Sequence, residues 1–161
     1  MNAMISSLLI KVFFLLLFTL TWQTEKKYAK EYYETGVLKA EGWIDSHQKE
    51  GYWKYYHTNG VVQKKGHYHK GEKHGYWYFY SRENQLLKEG HFSDGEKQDW
   101  WIFHNNNTAL KVQYKKGKRE GYGLVYQKNK LQKALKYEQD KKVGEWSSVL
   151  SFRIDNPQVQ F

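Results

Sequence analysis

Cysteine is absent and proline occurs once in the 161 residues. Without thiols the chain can build no disulfide framework, thiolate zinc site, cysteine nucleophile or thiol-linked lipid anchor. A single proline beside 18% aromatic residues is not the composition of a disordered chain. Catalytic signatures are missing too. There is no G-x-S-x-G elbow, phosphate-binding loop, H-E-x-x-H or dinucleotide fingerprint. Asp45, Asp94, Glu96 and Asp140 fall at or beside expected turns, where they read as turn residues and solvated charges rather than as a converging acid–base pair. These absences leave a binding module, and no cofactor is expected.

One apolar run stands apart from the rest. Val12 to Leu20 carries no charge, and Leu8–Ile10 extend it across Lys11. It is short for a bilayer-spanning helix, which needs about 20 apolar residues, but fits the core of an export signal. Thr19-Leu20-Thr21-Trp22 makes a poor cleavage site. Residues 1–23 are therefore expected to be a helical signal peptide or membrane anchor, placing the chain at or outside the cell envelope. Orientation stays open. Lys26, Lys27 and Lys30 would hold the following side in the cytoplasm, and an export signal would send it across.

What is present from about Tyr32 onward is repetition. Gly51-Tyr52-Trp53, Gly75-Tyr76-Trp77, Asp99-Trp100-Trp101, Gly121-Tyr122-Gly123 and Gly144-Glu145-Trp146 start 24, 24, 22 and 23 residues apart, and a partial copy precedes them at Tyr32–Gly36. A fixed period of this length marks a repeat architecture. Each copy reads as two short strands. Trp53 and Tyr55, Trp77 and Phe79, and Trp101 and Phe103 step by two, which puts each pair on one face of a strand. Turn signals follow at Asn59-Gly60, Glu83-Asn84, Asn107-Thr108 and Asn129-Lys130, then at Lys70-Gly71, Asp94-Gly95 and Lys116-Gly117. The expected fold is all-β: a meander of about ten antiparallel strands over residues 24–146, with 147–161 as a capping strand or tail. Trp53, Trp77, Trp101 and Trp146 are expected to form its structural core, because one hairpin cannot bury its apolar face alone.

This pattern, G-x-W-x-x-Y…N-G-x-x…G-x-Y, resembles the MORN repeat in the variant form of the bacterial YwqK-like antitoxin family. The resemblance covers roughly Tyr32 to Trp146. Copies three and four depart from it, with Asp99 for the first glycine and Gly123 for the tryptophan. It implies an elongated single sheet and a protein partner, such as a toxin that the chain would bind and block.

Three groups of residues are candidates for binding. The first is charge. Residues 24–110 carry 13 Lys+Arg against 12 Asp+Glu, whereas residues 111–142 carry 11 against three. Lys111, Lys115, Lys116, Lys118, Arg119, Lys128, Lys130, Lys133 and Lys136 therefore read as a basic patch for an acidic protein or an anionic membrane surface. Nucleic acid is not expected, since only Arg119 in that block offers a bidentate contact. The second is an aromatic face opposite the tryptophans: Tyr52, Tyr56, Tyr76, Tyr80, Tyr122 and Tyr126, a rigid surface suited to protein contacts or, less well, to glycan. The third is His67, His69 and His91, which share a face. They read as an ordinary polar surface, with metal binding as the alternative.

Overall fold

The structure is a computed structural model and describes residues 25–159, so the expected N-terminal helix lies outside the described residues. Eleven strands run in chain order through one open antiparallel sheet. They are β1 (Lys27–Tyr32), β2 (Leu38–Asp45), β3 (Gln48–Tyr56), β4 (Val62–His69), β5 (Glu72–Tyr80), β6 (Leu86–Ser93), β7 (Glu96–Asn105), β8 (Thr108–Lys115), β9 (Lys118–Gln127), β10 (Lys130–Glu138) and β11 (Lys141–Trp146). Within the stretch expected as a closing strand or tail, a short helix α1 (Val149–Asp155) forms instead, capped by the Ser148 side chain. Among the described residues no helix is long and apolar enough to cross a membrane.

Two connection types alternate. Ser46-His47, Lys70-Gly71, Asp94-Gly95, Lys116-Gly117 and Gln139-Asp140 are tight turns with positive φ at both residues, the geometry that matches the twist of the flanking strands. The opposite edge begins with longer connections at 33–37, 57–61 and 81–85, and shortens at 106–107 and 128–129. That shortening explains the drop of the period below 24. It also moves the last two turns one residue earlier than expected, so that Thr108 and Lys130 open strands.

Each repeat is kinked by a bulge. Gly51-Tyr52, Gly75-Tyr76, Asp99-Trp100 and Gly121-Tyr122 are extra residues opposite the preceding strand. The first residue of each pair has positive φ, including Asp99 at 57°. Just beyond each bulge a tryptophan lies flat on a glycine of the preceding strand: Trp53 on Gly42, Trp77 on Gly66, Trp101 on Gly90. All three indoles are fully buried. Their N–H groups donate to the carbonyls of Trp43, His67 and His91 at 2.8, 3.0 and 2.9 Å. A single-layer sheet thus buries large rings by sinking them into glycine seats.

The ladder changes where the seat is filled. Val112 stands where the fourth glycine would be, and Gly123 takes the place of tryptophan opposite it. In the last repeat Leu135 fills the seat. The register of β10 on β11 then shifts by one residue rather than two, and Trp146 pairs with Ala134 instead of following the column. Trp146, expected in the same core as Trp53, Trp77 and Trp101, therefore lies on the opposite face. There it packs edge-on against Phe152 of α1 at 5.2 Å, and its indole N–H donates to Asp155 at 2.6 Å. The core is continued instead by Val112, Leu135 and Tyr137.

Candidate functional site

The sheet has two unlike faces. On the Trp face, Trp77, Phe92 and Trp101 form a buried cluster flanked by Tyr55, Tyr68, Phe79, Phe103 and Tyr114. Over these rings lie lysines. Lys49 Nζ is 4.1 Å from the Trp53 ring centre, Lys64 4.3 Å from Tyr55, Lys73 4.8 Å from Phe92, Lys88 4.9 Å from Phe79 and Lys97 4.6 Å from Tyr114. Each such contact is worth roughly 0.5–1 kcal/mol, and the aliphatic stems cover the indoles that the sheet leaves open. The backbone of three of these lysines is pinned from the next hairpin: Gly71, Gly95 and Gly117 donate N–H bonds to the carbonyls of Lys49, Lys73 and Lys97 at 3.0, 3.1 and 3.0 Å.

The charge on this face is uncompensated at its centre. Lys49 meets Glu31 at 3.4 Å and Arg119 meets Asp140 at 3.1 Å, both toward the ends of the row. Among the described residues no ion pair reaches Lys64, Lys73, Lys88 or Lys97. Burial pushes the ammonium groups of Lys64, Lys73 and Lys97 below the usual lysine range, and neighbouring lysines push further in the same direction, with Asp140 opposing them at Lys97.

The sequence-derived basic patch does not form one surface. Strand alternation scatters it. Lys111 stacks over Trp100 at 4.8 Å, on the face opposite the tryptophan ladder. Lys116 and Lys128 sit in turns with positive φ, Lys115 and Lys118 face each other at the end of one hairpin, and Lys130 opens β10. Several members already have partners. Arg119 lies over Tyr137 and binds Asp140, Lys118 donates to Gln139 at 3.0 Å, Lys133 binds Glu145 at 2.6 Å, and Lys136 meets Glu138 at 3.5 Å. Lys142 also binds Glu145, whose carboxyl is pulled down to about 2 by the two ammonium groups.

The six tyrosines of the expected aromatic face lie opposite the tryptophan ladder. Tyr52 and Tyr76 are 39% and 38% exposed and stack edge-on against His67 and His91. Tyr56 donates to Glu41 at 2.6 Å, and Tyr76 donates to Glu89 at 3.2 Å. Burial, with Glu89 next, pushes the Tyr76 hydroxyl up to about 12. Tyr80 carries Lys65 over its ring, and Tyr126 pairs with Ala109 and Leu131. Tyr122 is covered: Phe152 packs on it and its hydroxyl donates to Asn156 at 3.1 Å. His67 and His69 share this face, but His69 pairs with Glu50, and among the described residues no group of three His, Asp or Glu side chains is placed to hold a metal.

Where α1 crosses this face, Trp100, Tyr122, Leu124, Leu131, Trp146 and Phe152 line an apolar cleft of about 250 Å³. No carboxylate or imidazole lines it. It suits an apolar side chain rather than acid–base chemistry.

Sequence reasoning missed Lys49, Lys64, Lys73, Lys88 and Lys97, because they lie in the stretch with almost no net charge. The signal was positional. Lys49, Lys73 and Lys97 stand four residues before a tryptophan, and Lys64 and Lys88 stand 11 after one. Compared with protein-family models and with curated proteins, the chain returns no match.

Proposed function

We propose that this chain is a non-enzymatic binding scaffold of the cell envelope that holds a partner protein on a sheet face, in the manner of an antitoxin or immunity protein masking a toxin. The observation that carries this reading is the open Trp face, whose central lysines lie half-buried over aromatic rings without a carboxylate partner. Repeat sheets offer extended surfaces, and rigid aromatic area beside point charges is what protein recognition uses. The repeat pattern's likeness to antitoxin-type MORN variants favours a protein ligand over glycan. The dispersal and internal pairing of the C-terminal lysines weigh against the alternative, a membrane surface gripped by Lys111–Lys142.

The test is affinity capture by the full chain from the native envelope fraction, read by mass spectrometry with cross-linking. A stoichiometric protein cross-linked to the sheet supports the scaffold. Recovery of anionic lipid alone, released by moderate salt, would move the function to the membrane surface.

A further inference from the structure

We infer that the centre of the Trp face, across β4–β7, is a docking surface for an acidic, proline-tolerant extended segment of the partner, whose carboxylates seat between Lys64, Lys73, Lys88 and Lys97. This rests on the protein-binding reading above and names the chemistry of that partner.

Four observations converge on a carboxylate-bearing segment. First, like charges gather here without an ion-paired carboxylate, although the same column supplies one at each end, and Asp140 reaches Lys97 only as a more distant charge. Glu31 sits on Lys49, and Asp140 sits on Arg119. The chain itself shows that a carboxylate is the group that occupies these seats, and the central seats are the ones no residue of the described chain fills. Second, the ammonium groups are held down on rings at 4.3–4.9 Å, not extended into solvent. A flat headgroup layer meets extended lysines best, whereas these need a narrow ligand that reaches into the face. Third, the indoles that would stack on bases or sugars are fully buried beneath the lysine stems. What remains beside the charges is the partly exposed rims of Tyr55, Phe79 and Phe103, suited to small apolar side chains. Fourth, the spacing suits an extended chain. Lys73 and Lys97 are two strands apart, roughly 10 Å at about 4.8 Å per strand. In a polyproline II segment, residues three apart point the same way and are separated by about 9.3 Å. An acidic residue at every third position therefore keeps pace with the repeat.

The half-burial of the lysines supports the same conclusion. Burial and mutual repulsion lower the ammonium pKa of Lys64, Lys73 and Lys97, and a bound carboxylate would raise it again.

The test uses the full chain and a fluorescein-labelled peptide about twelve residues long, with Glu at every third position and Pro and Leu between. Anisotropy is measured at physiological salt. Binding is expected to weaken on the order of tenfold or more in the variant carrying Lys64→Gln, Lys73→Gln, Lys88→Gln and Lys97→Gln, and to be largely restored by Lys→Arg at the same positions. Gln keeps the first two methylenes of each stem and removes the charge, and an unchanged far-ultraviolet circular dichroism spectrum confirms that the sheet persists. A control with Lys116→Gln, Lys128→Gln and Lys130→Gln is expected to bind as the parent does. Three results would overturn the proposal: peptide binding that survives loss of the four lysines, binding lost in the control instead, or binding of phosphatidylserine vesicles but not peptide through these four lysines. Failure here beside a captured protein partner would place that partner elsewhere on the sheet, whereas absence of any captured protein strikes the scaffold reading itself.

Discussion

Replacing Gly66 by alanine tests whether the glycine seats hold the sheet together. A β-carbon at Gly66 would collide with the indole carbons of Trp77. The indole has little room to yield. It is fully buried, its N–H is bonded to the His67 carbonyl at 3.0 Å, and Tyr68 and Phe92 pack edge-on against it at 5.1 and 6.1 Å. Overpacking a site of this kind costs about 1–3 kcal/mol. Alanine returns roughly 0.5–1 kcal/mol by restricting the unfolded chain. If the ring tilts enough to break the His67 bond, about 1 kcal/mol more is lost. The expected net destabilisation is therefore about 2 kcal/mol, a shift of roughly 1 M in the urea midpoint for an m-value of about 2 kcal/mol/M. Urea titration followed by tryptophan emission measures it, with Gly60→Ala as the comparison. Gly60 has nothing within 4 Å of its would-be β-carbon but a φ of 80°, so its cost of about 1–2 kcal/mol is backbone strain alone and should leave the emission maximum of the folded state unchanged. A Gly66→Ala variant as stable as the parent, with an unshifted emission maximum, would refute the seat as the organising contact.

Trp77→Ala is expected to cost about 3–5 kcal/mol by the same titration, whereas Trp146→Ala, which removes only a half-buried ring beneath α1, should cost clearly less. Phe152→Ala should free α1 while leaving the sheet intact, seen as protease cleavage near residues 149–155 without loss of the β-sheet circular dichroism signal. Stability is expected to fall as pH rises from about 10.5 to about 12, beyond the range in which the lowered Lys64, Lys73 and Lys97 ammonium groups add stability with rising pH. Tyr76 and the more buried Tyr55, Tyr68 and Tyr114 have raised pKa values, so the unfolded chain loses those protons first, and the contribution is complete below pH 10 and gone above the folded values. Denaturation midpoints across that range, flat in place of falling, would contradict it. Glu145 should titrate near 2 by carboxyl carbon resonance and move up toward 4.5 in Lys142→Met, which removes one of its two ammonium partners.

Much of the fold is legible in the sequence because its determinants are local. Period-two aromatics such as Trp77 and Phe79 set strand and face, and Lys70-Gly71 and Asp94-Gly95 set tight turns through positive φ. Repetition at 22–24 residues then implies a meander of stacked hairpins, and the described residues form eleven strands in that order. The opposition of the tyrosine and tryptophan faces follows from the same alternation.

Tertiary structure decided which charges meet. A segment's net charge is summed along the chain, but a strand sends successive side chains to opposite faces, so the eleven cations of 111–142 disperse while Lys64, Lys73, Lys88 and Lys97 gather from a nearly neutral stretch. It also decided the place of Trp146. Whether a tryptophan joins the ladder depends on the residue across from it on the neighbouring strand. Gly42, Gly66 and Gly90 admit an indole and Leu135 does not, so one register shift sends Trp146 to the other face to hold α1. Alternation along a strand is a property of the chain alone; register between strands is set by the volume of two side chains at once, and that pairing exists only once the sheet has formed.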